Sequence, residues 1–136
     1  MQRRRSSGRA GESVRVLIVE DEFLVAMYLE EVLHQRGYSQ VYTAHDLDYA
    51  HALLEQVAPH FAVLDINIGT KLVYGFAAEL SARGIPFIFA TAHSPDDIAP
   101  EWRDIEVLTK PLDEKRFLDA MRNLGIADPS GPQLDS

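Results

Sequence analysis

Four places in the chain carry side chains suited to phosphoryl or metal chemistry. Glu20, Asp21 and Glu22 follow the apolar run VRVLIV, Asp65 ends FAVLD, Thr91 ends PFIFAT, and Lys110 with Pro111 follows IEVLT. Carboxylates held close together repel one another and invite a hard divalent cation such as Mg²⁺ or Mn²⁺, which takes oxygen ligands and keeps several waters. A carboxylate can also attack phosphorus and form an aspartyl phosphate. Phosphoryl transfer then requires three equatorial oxygens to be positioned and neutralised. The cation can take one, the Lys110 ammonium a second and the Thr91 hydroxyl a third. Each residue also has a plainer reading. Asp65 alone could be a strand-end cap, the acidic triplet a solvated cap for a helix, Thr91 a β-branched strand residue and Lys110 a loop lysine.

The sharper reading requires these residues to meet, so the elements that carry them matter. VRVLIVE (14–20), FAVLD (61–65) and PFIFAT (86–91) are near-continuous apolar runs, the pattern of strands buried on both faces. QVYTA (40–44) and IEVLTKP (105–111) add two more strands. Between them, EFLVAMYLEEVLHQRGY has helical period, with Val25, Leu29, Val32 and Arg36 on one face beside Ala26 and Leu33, and with Gly37 ending it. DLDYAHALLEQVA, capped by Asp46 and stopped by Pro59, and YGFAAELSARG are further helices. DEKRFLDAMRNLG, capped by Asp113 and ended by Gly125, is the last. SPDDIAPEWRD (94–104) is weakly helical at best, because Pro100 follows Pro95 by five residues. Strand and helix alternate five times. That order predicts a doubly wound α/β domain, a five-stranded parallel sheet in the order 2-1-3-4-5 with helices on both faces. Sites in such sheets form at the carboxyl ends of the strands, and all four places lie at such ends.

At these positions the chain resembles the receiver domain of two-component response regulators. The acidic pair is Glu20 and Asp21 in VEDE, the acceptor is Asp65 in VLDINIG, the hydroxyl is Thr91 in FATAH and the lysine stands in LTKP. The successive intervals from Asp21 are 44, 26 and 19 residues. The resemblance covers residues 14–125 and implies a flavodoxin-like fold. It implies that Asp65 accepts a phosphoryl group from a histidine kinase or a phosphotransfer protein. It implies that Asp21 and Asp65 ligate Mg²⁺ directly, that Asn67 adds its backbone carbonyl, and that Glu20 acts through a metal-bound water. Lys110 would pair with the phosphoryl group across a cis bond to Pro111, and Thr91 would shift to signal the modified state. Such a domain is a phosphoprotein of signal transduction, not an enzyme beyond its own phosphotransfer and dephosphorylation.

Two departures bear on the switch. The position three before the lysine, aromatic in many receivers, is Val107, and the acceptor loop reads Ile68-Gly69 where Met-Pro is common. Both features resemble the subgroup named for a FAT-G-hydrophobic-Tyr motif and associated with HWE-class histidine kinases. Phe89-Ala90-Thr91 fits the motif and Ala92-His93-Ser94 does not. Residues 93–104 are therefore expected to carry the conformational response in place of an aromatic rotor. On the first helix, Phe23, Leu24 and Met27 point away from the face centred on Leu29, an expected protein-contact surface where receivers dock a kinase.

Composition narrows the alternatives. The 136 residues are 46% hydrophobic and include no cysteine, which excludes disulfides and thiol chemistry. Net charge is −8, but residues 1–13 hold four arginines and one glutamate, so the remainder carries −11. An acidic domain repels nucleic-acid phosphates and suits a cation or a protein partner. No apolar run reaches the ~20 residues that span a bilayer, so a cytoplasmic location without membrane contact is expected. Residues 1–13 are expected to be a disordered basic tail and 126–136 a loose one, too short for an output module, which implies a stand-alone receiver acting on a downstream protein. A regulator longer than this chain is the alternative. The five histidines (34, 45, 51, 60 and 93) show no ligand spacing. The rival from another class is a small Mg-dependent phosphohydrolase with an aspartate nucleophile. It requires an acid two residues after the nucleophile, where this chain has Asn67.

Overall fold

A computed structural model of the chain describes residues 13–130. The strands and helices are β1 (Arg15–Val19), α1 (Phe23–Gln35), β2 (Gln40–Ala44), α2 (Leu47–Val57), β3 (Phe61–Asp65), β4 (Asn67–Ile68), β5 (Lys71–Leu72), α3 (Tyr74–Ala82), β6 (Phe87–Thr91), β7 (Val107–Thr109) and α4 (Glu114–Asn123). Five strands form one sheet in the order β2-β1-β3-β6-β7, every pairing parallel. This is the expected 2-1-3-4-5 order.

The alternation of side chains along the strands builds a core on each face. Leu17, Val19, Leu64 and Phe89 face α2 and α3, meeting Leu53, Leu54, Phe76 and Leu80. Val16, Ile18, Val63 and Ile88 face α1 and α4, meeting Leu29, Leu33, Phe117 and Met121. All five residues of β3 and of β6 are buried, as their unbroken apolar runs require. Two helix starts are fixed by carboxylates. Asp46 accepts the Tyr49 N–H at 2.8 Å and Asp113 accepts the Arg116 N–H at 3.0 Å, caps that contribute about 1 kcal/mol each.

Three local features sharpen or alter the sequence-based expectation. The weakly helical segment after β6 forms no α-helix. Residues 95–97 and 100–102 form two separate 3₁₀ turns, each with proline at its start, because the ring of Pro100 denies the first turn a continuation. The acceptor loop, for which no element was expected, folds as an antiparallel hairpin, Asn67 opposite Leu72 and Ile68 opposite Lys71. The segment expected to be loose after α4 is tied down as far as it is described. Ile126 and Ala127 pack against the α1/α4 core, Tyr38 donates its hydroxyl to the Ala127 carbonyl at 2.7 Å, and Arg36 pairs with Asp128 at 2.9 Å. Gly37, at φ 104°, lies so close to Pro129 that a Cβ would stand 3.2 Å from its ring. The expected basic tail, residues 1–13, lies outside the described residues apart from Ser13. Among the described residues no helix is long and apolar enough to cross a membrane.

Candidate functional site

Parallel pairing brings every strand's carboxyl end to one edge of the sheet. Asp65 is in register with Ala90 and Thr91 with Thr109, so Lys110 emerges one residue past the Thr109 partner of Thr91. The Lys110–Pro111 bond is cis, and the lysine points inward. Its Nζ lies 2.7 Å from Glu22 Oε1, 3.1 Å from Glu20 Oε2 and 3.1 Å from Asp65 Oδ2. A single ammonium thus serves three carboxylates. Burial alone would lower the Lys110 pKa, but the hydrogen bonds to Glu22 and Glu20 and the charge of Asp65 outweigh it and hold it above the usual lysine range. Lys110 is therefore a permanent cation here.

Glu20 shows the strain of the arrangement. It is buried at the end of β1, and burial first, then the neighbouring Asp65 charge, pushes its carboxyl up to about 8. Its Oε1 is buried with no hydrogen-bond partner. Buried polar atoms are nearly always paired, so an orphan oxygen among acids fits a site built for a cation. Carboxylate oxygens of Glu20, Asp21 and Asp65 all lie within 4.8 Å of one another, and oxygen ligands are what a hard divalent ion takes. The donor set therefore fits Mg²⁺ or Mn²⁺.

The rest of the site is set by backbone. Asp65 Oδ1 accepts the Asn67 N–H at 3.2 Å and Asp21 Oδ2 accepts the Gly69 N–H at 2.8 Å. Asp21, Glu22, Asp65, Asn67, Gly69, His93 and Lys110 line a cleft of about 240 Å³. Of the residues singled out in the sequence, Asp21, Asp65, Asn67 and Lys110 meet there, with Glu20 buried beside them. Thr91 is fully buried at the end of β6 and opens onto an adjoining cleft of about 420 Å³, shared with Asn67, Tyr74, His93 and Ile98. Its hydroxyl accepts the His93 N–H at 3.1 Å, which leaves the hydroxyl hydrogen for another acceptor. Phe23, Leu24 and Met27 are exposed on α1, at 65%, 79% and 51%. Val107 is half-buried against the α2/α3 core.

Sequence reasoning read Glu22 as a helix cap and missed Gly69 and Tyr74. Glu22 occupies the α1 cap position, yet its side chain makes no capping bond. It turns instead to the Lys110 ammonium, 2.7 Å away, where both partners of the bond carry charge. Gly69 reaches Asp21 only through the hairpin, whose signal was the Gly-Thr pair between two apolar-ended dipeptides. Tyr74 stacks on Trp102 with 6° between ring planes, meets Phe89 edge-on and accepts the Ala99 N–H at 3.2 Å. Nothing local in the sequence joins Tyr74 to Ala99.

Fold and site together define a doubly wound α/β domain with an acidic cleft and an inward lysine at the carboxyl edge of its sheet. Comparison with known proteins is specific. Residues 16–122 match the response regulator receiver domain family, and the chain belongs to that family. Its function is accordingly that of a phosphoacceptor in signalling. It is similar to SdrG from Sphingomonas melonis Fr1, with 37% identity, a TM-score of 0.74 and coverage of 83% of this chain and 97% of that one. The response regulator PhyR from Brucella abortus is 28% identical with a TM-score of 0.69, over 88% of this chain and 51% of PhyR. Among curated proteins, the transcriptional regulatory protein PdtaR of Mycobacterium tuberculosis is 32% identical over 111 residues, 79% of this chain and 54% of PdtaR. The chain spans about half the length of the curated relatives it matches.

Proposed function

We propose that Asp65 is the phosphoacceptor and that Lys110 and Thr91 complete its chemistry. The observation that carries this is the placement of Lys110 Nζ 3.1 Å from Asp65 Oδ2, beside the acids of β1. In the transfer, an Asp65 carboxylate oxygen attacks the phosphorus of a donor phosphohistidine. The new O–P bond forms as the P–N bond breaks, and the electron pair returns to the imidazole nitrogen. Lys110 already bonds to the attacking carboxylate and is placed to exchange that contact for a phosphoryl oxygen. The Thr91 hydroxyl hydrogen has no such acceptor until negative oxygens arrive nearby. The later hydrolysis reverses the gain, with water taking the phosphoryl group and Asp65 recovering its carboxylate. A divalent cation held by Asp21, Asp65, the Asn67 carbonyl and, through water, Glu20 would neutralise phosphoryl oxygens during transfer.

The donor is a sensor histidine kinase or a phosphotransfer protein, and the FAT run at 89–91 supports the HWE class. The exposed Phe23, Leu24 and Met27 beside the acidic cleft support docking on α1. Output passes to a downstream protein, in the cytoplasm, through segment 93–104. Incubation with Mg²⁺ and acetyl phosphate followed by intact mass measurement tests the central step. A gain of one phosphoryl group is expected in the native protein and none in Asp65→Asn. No gain from acetyl phosphate or from a panel of kinases would leave a folded domain that is not phosphorylated.

A further inference from the structure

The three converging carboxylates are not held alike. Glu20 and Asp65 are buried and both bond to Lys110. Asp21 is exposed, and its recorded hydrogen bond is the one from the Gly69 N–H, at 2.8 Å. An exposed aspartate otherwise samples several rotamers, and ordering it costs free energy whenever a ligand binds. Gly69 therefore stands where that cost can be met in advance.

The hairpin that carries Gly69 is well anchored. Ile68 is buried in the α2/α3 core, β4 pairs with β5, Val73 donates its N–H to the Ile66 carbonyl at 2.9 Å, and Asn67 donates to Asp65 at 3.2 Å. Gly69 is the first of the two central turn residues and has φ 62°, the place where a type II′ hairpin turn sets glycine. The amide is thus aimed from a fixed platform across 48 residues of sequence. A carboxylate has lone pairs on both oxygens, so a bond to Oδ2 leaves Oδ1 free to take a cation.

We propose that Gly69 is a positioning residue for the divalent-cation site, its backbone N–H holding the Asp21 carboxylate in the ligating orientation. This rests on the reading that the acidic cluster binds Mg²⁺. Hydrogen bonds that orient metal ligands change affinity 10–100-fold when removed, and one bond to an exposed ligand falls at the lower end, about ten-fold.

The substitution Gly69→Val tests it. A Cβ at this position meets no atom within 4 Å, so the variant acts through backbone and not through a clash. A β-branched residue at positive φ is strongly disfavoured and opens the turn. Mg²⁺ affinity measured by calorimetry should fall about ten-fold in Gly69→Val, and Gly69→Asn, which tolerates positive φ, should recover part of the loss. In the native protein, Mg²⁺ should slow hydrogen exchange at the Gly69 amide, because coupling between the latch and the cation is reciprocal. A purely structural hairpin would show no such slowing. Equal affinity in Gly69→Val and the native chain, with Asp21→Asn weakened, overturns the role of Gly69 and leaves the cation site standing. Absence of Mg²⁺ binding by the native chain overturns both. If Gly69→Val does not fold, the exchange measurement decides alone: slowing supports the latch, and an unchanged rate overturns it.

Discussion

Tyr74 accepts the backbone N–H of Ala99 at 3.2 Å. Tyr74 opens α3, directly behind the acceptor hairpin, and Ala99 joins the two 3₁₀ turns that replace a helix. The same ring lies 6.1 Å from Trp102, nearly parallel to it, and both rings contact Phe89, two residues before Thr91. An aromatic clasp therefore spans the acceptor loop, the end of β6 and segment 93–104.

If the clasp holds this segment, Tyr74→Phe should free it without unfolding the domain. One hydrogen bond is worth about 1 kcal/mol, so exchange at the Ala99 amide should quicken by roughly five-fold, while protection in β1 and β3 stays unchanged. Trp102 is the single tryptophan, so its fluorescence reports on the clasp directly. It should change when the native protein takes up Mg²⁺ and beryllofluoride, and change less in Asp65→Asn. Equal backbone relaxation across 93–104 in both states would sink the proposal that this segment carries the response.

Lys110 holds Glu20, Glu22 and Asp65 together. Removing its charge leaves carboxylates facing one another without compensation. Lys110→Ala should lose about 2 kcal/mol of stability in metal-free buffer, within the range for stranding a buried polar partner. Mg²⁺ should raise its melting temperature by more than it raises that of the native protein, because the cation then takes over the neutralisation that Lys110 supplied. Phosphorylation by acetyl phosphate should fall at least ten-fold. Identical thermal responses to Mg²⁺ would show that Lys110 does not neutralise this cluster.

Leu24 and Met27 are exposed on α1, and neither belongs to the buried core. The double substitution Leu24→Ser and Met27→Ser should therefore shift stability by no more than about 0.5 kcal/mol each. Phosphotransfer from a histidine kinase that modifies the native protein should slow, while modification by acetyl phosphate stays the same. Slowing with both donors would place the defect in the acidic cleft and not in docking.

His60 gives the domain a pH dependence away from the cleft. Its Nδ1 accepts the Arg15 backbone N–H at 2.9 Å, which requires the neutral ring. Burial, then the nearby Arg15 charge, lowers its pKa below 6.5. The unfolded chain therefore binds this proton more readily than the folded one. The contribution of His60 to stability is whole above pH 6.5 and is lost as pH falls towards the lowered folded value. Urea midpoints at pH 7.5 and 5.5 should separate further for the native protein than for His60→Gln. Equal separations would exclude this histidine as the cause.

Much of this was legible in the sequence, for physical reasons. Unbroken apolar runs such as FAVLD, too short for helices and bounded by polar or turn residues, read as strands covered on both faces, and their alternation with helical periods leaves few topologies. Asp46 and Asp113 announced their helix starts, and Pro95 with Pro100 announced that no helix would follow β6. Strand ends marked Asp21, Asp65, Thr91 and Lys110, because a parallel sheet delivers all such ends to one edge. What only the tertiary structure decided was which partner each group takes. Glu22 had a local cap and a distant ammonium to choose from, and the ammonium won. The Gly69 amide meets Asp21, and the Tyr74 hydroxyl meets Ala99, through loops whose paths depend on everything packed beneath them. Local periodicity sets where side chains emerge; their pairing depends on contacts made across the fold, which no stretch of sequence contains.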